Sequence, residues 1–233
     1  MTTQYDTYNI FITGSAFSGS AGADYEQSVK WHLDLIRRSH SGRALISAIQ
    51  RTGKPVTILP FTPTVKDPFN AYATTTIFGH FEIFYSPPMW GYGGAAASQF
   101  PPGNPGNSPS AILFHEMAHT YREMRGTFNA QRTMQKGYDN QEEFFAVLMS
   151  NIFVTDSTAL LPVRTLRADH HDFKPLAAAQ ATSQGFLEVS ENRLLVAQFW
   201  GQEFDLMTDL LHVNSSFNPI QQYYTLKFPT FTP

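Results

Sequence analysis

The sequence predicts an α+β fold: a small mixed sheet packed on one buried helix that carries a polar constellation, followed by a mainly helical C-terminal part. Three observations predict it. β-Branched and aromatic runs are confined to the first part of the chain, at YNIFITG (8–14), KPVTILPF (54–61) and ATTTIFGHFEIFYSPP (73–88). Helical spacing of apolar residues dominates after residue 108, and the polar trio His115, Glu116 and His119 falls inside the first of those helical stretches. One domain is expected over 1–233, with residues 1–107 supplying the sheet and 108–233 the helical part that holds the polar trio.

Taken in order, 8–13 alternates as a strand should and ends at Gly14. A helix pair follows, with Val29, Leu33 and Ile36 on one stripe and Leu45, Ile46 and Ile49 on the next, after Ser41 and Gly42. The second strand stops at Pro60, and the third is a longer run that bends at Gly79. Residues 87–107 hold five Pro and five Gly with no apolar period, which predicts a loop of functional length. Its Trp90, Tyr92 and Phe100 are candidates to line a substrate cleft. Ser108 and Pro109 read as N-cap and first helical residue, and Gly126 as the residue that stops that helix. A second apolar helix is expected over about 140–153, then a loop containing ADHHDF (168–173), one long amphipathic helix over 190–213, and a Pro-containing tail.

Composition excludes several functions. Hydrophobic residues make up 42% and charged residues only 15%, which is the profile of a chain with a core and not of a disordered one. A net charge of -3 lacks the basic field that accompanies nucleic-acid binding. There is no cysteine, so thiolate nucleophiles, disulfides and sulfur-based metal sites are out. No run approaches 18 apolar residues, and the N-terminus has no basic segment before an apolar one, so neither membrane insertion nor a Sec signal is expected in this chain.

The segment FHEMAHTYREMRG (114–126) carries the chemistry. Histidines at i and i+4 project from one helical face, so His115 and His119 can meet one ion, while Glu116 is offset to reach a water molecule instead. This is the H-E-x-x-H signature of zinc peptidases, with Glu116 as general base and acid and Zn2+ as cofactor. A third protein ligand is required. Arg122 and Arg125 stand where an extended three-histidine motif would place Gly and His, which leaves a downstream carboxylate or histidine. Glu142 and Glu143 both qualify. An Asp139–Glu142 capping box would free Glu143, whereas an Asn140–Glu143 frame would engage it, and spacing alone leaves the choice open.

NQEEFFA (140–146) resembles the third-ligand helix of anthrax lethal factor, which implies that Glu143 binds zinc and that Tyr138 assists the transition state. More widely, the order from the Gly-Ser loop through SGRALISAI, SPSAILFHEMAHTY and NQEEFFAV resembles the NleD-type zinc metalloprotease effectors of bacteria. It is also similar to metallopeptidase toxin domains linked to type VI secretion spikes. The resemblance covers about residues 8–153. It implies a zincin-like fold, an endopeptidase acting on a target-cell protein or peptide, and delivery by a specialised secretion system into host cytoplasm or bacterial periplasm. A secretion-system spike, chaperone or immunity protein would be its further partners.

Other polar groups are weighed against this set. His170 and His171 could stabilise an oxyanion from across the cleft, supply a fourth metal ligand, or lie on a surface loop. His80 is expected to be structural, and the 73–88 strand could offer an edge to a peptide. The alternatives to a peptidase are an interaction module tied together by a closed zinc site, and a metal-dependent amidase acting on peptidoglycan.

Overall fold

The computed structural model describes residues 2–134 and 137–229. Five strands, β1 (Thr2–Gln4), β2 (Ile10–Thr13), β3 (Val56–Leu59), β4 (Tyr72–Thr75) and β5 (Phe81–Phe84), form one sheet in the order β1-β2-β3-β5-β4. β2, β3 and β5 run parallel in the middle, and the two edge strands are antiparallel to their neighbours. The fold is therefore mixed α+β, as expected. β2 and β3 are linked by the helix pair α1 (Ala21–Arg38) and α2 (His40–Arg51). Ser39 separates the two: its extended backbone ends α1, and its hydroxyl accepts from the Gly42 amide at the start of α2. A Cβ at Gly42 would lie 1.9 Å from the Ile36 carbonyl oxygen, so glycine is required at this corner.

The third predicted strand is two strands. Thr76 to His80 form a tight turn between β4 and β5, closed by the Thr76 amide on the His80 carbonyl, with Gly79 at φ +77°. The left-handed glycine reverses the chain where the sequence suggested only a bend. β4 thereby becomes an edge of the sheet, and it and β5 both contact α3 (Pro109–Arg125).

α3 begins at Pro109 and ends at Gly126, whose left-handed backbone lets its amide reach the Arg122 and Glu123 carbonyls. It touches α1, α2, β4, β5 and α4 (Gln141–Thr155). Enclosure on all sides explains why its apolar residues go right round the helix instead of forming a stripe. α4 is likewise buried from Phe144 to Val154. Ser41 joins α2 to the end of α4, its amide and hydroxyl both donating to Asp156 at 2.8 Å.

The single helix expected over 190–213 is broken into α6 (Ser190–Gln202) and α7 (Phe204–Leu211), preceded by α5 (Ser183–Glu188). The break falls at Glu203, whose carboxylate is turned inward to Arg122. The tail contains α8 (Pro219–Lys227), begun by Pro219 and capped by Asn218, whose side chain accepts from the Gln221 amide. No helix among the described residues is long and apolar enough to cross a membrane.

Candidate metal centre

Helical spacing on α3 puts the Nε2 atoms of His115 and His119 3.0 Å apart. The first turn of α4 brings Glu143 to them: its Oε2 lies 3.3 Å from His115 Nε2 and 3.4 Å from His119 Nε2. Ligands at about 2.0–2.1 Å from a tetrahedral ion stand about 3.3–3.4 Å from one another, so this triangle of donors has the size a zinc ion needs. Glu143 Oε2 is buried and, although close to both imidazoles, accepts no well-directed hydrogen bond. A buried carboxylate oxygen left in that state is costly unless a cation satisfies it.

The two first-turn glutamates of α4 part company, and only Glu143 faces both histidine Nε2 atoms. Asn140, not Asp139, is the N-cap, and its side chain accepts from the Glu143 amide at 2.9 Å. Of the two capping frames that the sequence left open, the Asp139–Glu142 box is absent, because Glu142 turns the other way, into the protein. There its Oε2 accepts from Arg122 Nε at 2.7 Å, and its Oε1 lies 3.4 Å from His119 Nδ1. Glu142 is thus no solvated first-turn carboxylate, and it sits behind His119 as an orienting partner. Arg122 also donates to Glu203 at 2.9 Å, and its guanidinium lies over the Phe145 and Phe199 rings.

Glu116 is buried beside the triangle, and burial pushes its carboxyl up to about 7. Ala73 of edge strand β4 adjoins it across a small hollow, and its backbone favours the ionised carboxylate. Burial also holds the His115 imidazole well below its usual range. For His119, burial opposes the charged form, but Glu142 and Glu143 outweigh it and push the group up to about 10. Burial similarly opposes ionisation of Glu143, and the two histidines outweigh it, holding its carboxylate far below its ordinary range. Two carboxylates thus favour the charged form at His119, whereas burial disfavours it at His115.

His170 reaches the same place from the loop after α4. Its Nε2 is 3.3 Å from Glu143 Oε2, and its ring lies parallel to that of His115 at 6.0 Å. Arg167, which gave no signal in the sequence, positions this loop. Asn151 on α4 grips the Arg167 backbone at both its amide and its carbonyl, and the buried guanidinium donates to the Asp169 and His170 carbonyls while lying over Phe173.

Two hollows flank the cluster. One of about 300 Å³ is lined by Trp90, Phe100, His115, Glu116, Arg167 and His170. The other, about 250 Å³, is bounded by Ala71, Tyr72, Ala73, Glu116, His119 and Glu143. The sequence candidates Trp90 and Phe100 thus line the cleft, whereas Tyr92 is almost fully exposed and lines neither hollow. Tyr138 is not brought to the cluster: its ring packs on Phe144 at 5.1 Å and lines a neighbouring cavity with Leu176, Phe186 and Asn192. His80 is exposed in the β4–β5 turn.

A family model described as Peptidase M91, effector protein, matches residues 13–158, more than half of the chain. No curated protein matches it.

Proposed function

The chain belongs to the Peptidase M91 family of effector proteins, and from that premise we propose that it is a zinc-dependent endopeptidase of zincin-like build. His115, His119 and Glu143 would hold the ion. The observation that carries this reading is their donor triangle, with edges of 3.0–3.4 Å, beside a buried Glu116. Family membership makes the protein a peptidase effector, implies a protein substrate and delivery into host cells, and agrees with its likeness to the NleD-type effectors.

When bound, Zn2+ supplies Lewis acidity toward a carbonyl and toward water. The remaining work falls to side chains. Glu116 takes the proton of the attacking water on its carboxylate and returns it to the leaving amine, and a group poised near 7 suits both halves of that transfer. Glu142 holds His119 in orientation through Nδ1. His170, facing Glu143 through Nε2, is placed to donate to the oxygen on which negative charge develops. The β4 edge, which borders the hollow that Glu116 lines, offers a substrate an antiparallel strand to pair with. Tyr138, in its neighbouring cavity, is given no step.

The test is zinc per chain and cleavage of a peptide library read by mass spectrometry, on wild type, Glu116→Gln and Glu143→Ala. Expected are one zinc and cleavage for wild type, one zinc without cleavage for Glu116→Gln, and no zinc for Glu143→Ala. Full cleavage by Glu116→Gln would sink the mechanism.

One observation favours a second reading, in which zinc only ties the helices together. His170 Nε2 is as near Glu143 as His115 is, so it could close the site as a fourth ligand. In that case chelation collapses the melting transition and no peptide is cut.

A further inference from the structure

At the outer lip of the cleft, Asp139, His170 and His171 form a second cluster. His171 Nε2 lies 3.0 Å from Asp139 Oδ2 and 3.1 Å from Oδ1, and His170 Nδ1 lies 3.3 Å from Oδ2. Two imidazoles and a carboxylate are the donors that suit zinc and its transition-metal neighbours, not calcium or magnesium.

The cluster is built by the backbone. The His170 amide donates to the Gly137 carbonyl at 2.9 Å, which clamps the segment before α4 onto the histidine loop. Gly137 has φ +102°, and a Cβ there would stand 2.9 Å from the Asp169 Cβ, so only glycine permits this approach. Asp169 braces the loop by accepting from the Asp172 and Lys174 amides. The side chains of Asp139 and His171 are 51% and 67% exposed, which leaves the donors open to an ion arriving from solvent.

We propose that Asp139, His170 and His171 form a second divalent transition-metal site at the mouth of the cleft, with Zn2+ as its simplest occupant. An ion here uses the lone pair of His170 Nδ1, so the ring proton resides on Nε2, the nitrogen that faces Glu143. The outer ion therefore fixes His170 as a hydrogen-bond donor toward the inner cluster and withdraws it from the inner ligand set. That consequence rests on the inner cluster holding zinc, whereas the outer site stands on its own geometry.

The experiment is a Zn2+ titration of the full chain by calorimetry after zinc loading and gel filtration, with elemental analysis before and after, on wild type, Asp139→Asn and His171→Ala. Expected are one retained equivalent in all three proteins and a second, weaker equivalent in wild type alone. In the doubly loaded protein, nitrogen NMR should find the His170 proton on Nε2. A wild type that takes no second equivalent up to millimolar Zn2+ overturns the site, leaving the three groups as ion pairs only. Variants that keep both equivalents overturn it too. If the wild type retains no ion but binds one that His171→Ala abolishes, the inner reading fails and the outer site stands.

Discussion

Arg122 and Glu142 form an ion pair 2.7 Å long with essentially no solvent exposure on either side chain. Removing one member of such a pair strands the other in a dry interior. Arg122→Met should therefore cost about 3–5 kcal/mol of stability, read as a fall in the urea midpoint. Glu142→Gln keeps the shape but removes the charge behind His119. The fold should survive, and zinc affinity should drop about 10–100-fold in competition with a chromophoric chelator. Unchanged affinity would mean that Glu142 serves packing alone.

Cleavage should rise with pH along an acidic limb. Glu116 must be ionised to accept a proton, and burial sets its carboxyl near 7 in the metal-free cluster. A bound cation pulls a neighbouring carboxyl down, so the limb in the loaded enzyme should lie at or below 7. The profile of kcat/KM checks this. A limb that instead falls with rising pH in that range would remove Glu116 as the base.

Zinc binding should release a proton. His119 holds its proton up to about 10 in the free cluster, and an imidazole must be neutral to ligate. Above pH 7, where Glu116 is already ionised, calorimetry in buffers of different ionisation enthalpy should report about one proton per zinc, and affinity should climb about tenfold per pH unit. Proton-independent binding would show that His119 is already neutral.

His32, far from the metal ligands in sequence and wedged between α1 and α3, should make stability sensitive to acid. Burial lowers its imidazole from 6.5 to about 4, and Nδ1 pairs with the Ser110 hydroxyl at 2.8 Å. Above pH 6.5 neither state is protonated and the contribution is complete. Between 6.5 and 4 the unfolded chain takes up a proton that the folded chain refuses, so up to about 3 kcal/mol is lost as pH falls. Denaturant melts across that window should be flatter for His32→Gln, and parallel curves would contradict the assignment.

What was legible in the sequence was local. Pro109 and Gly126 mark the ends of α3 because each imposes its own backbone geometry, and the four-residue histidine spacing fixes a face whatever surrounds it. Glu143 could not be told from Glu142 by spacing, since adjacent positions diverge only once the Asn140 cap and Arg122 have taken their partners. The break at Glu203 was hidden for a similar reason. Apolar periodicity runs straight through 190–213, and only a carboxylate demanded by Arg122, 81 residues earlier, interrupts it. Arg167 and His170 reach the cleft through a loop held by Asn151, a contact with no local signature.

The family match ends at residue 158, yet the side chains that complete the cleft do not. Arg167 and His170 lie beyond it, and so does Glu203, the second anion on Arg122. Modularity here is wider than sequence similarity: a chain cut after the matched stretch would keep His115, Glu116, His119 and Glu143 and lose the side chains that complete the cleft around them. A transplant of this chemistry onto another protein would have to carry the last third of the chain with it.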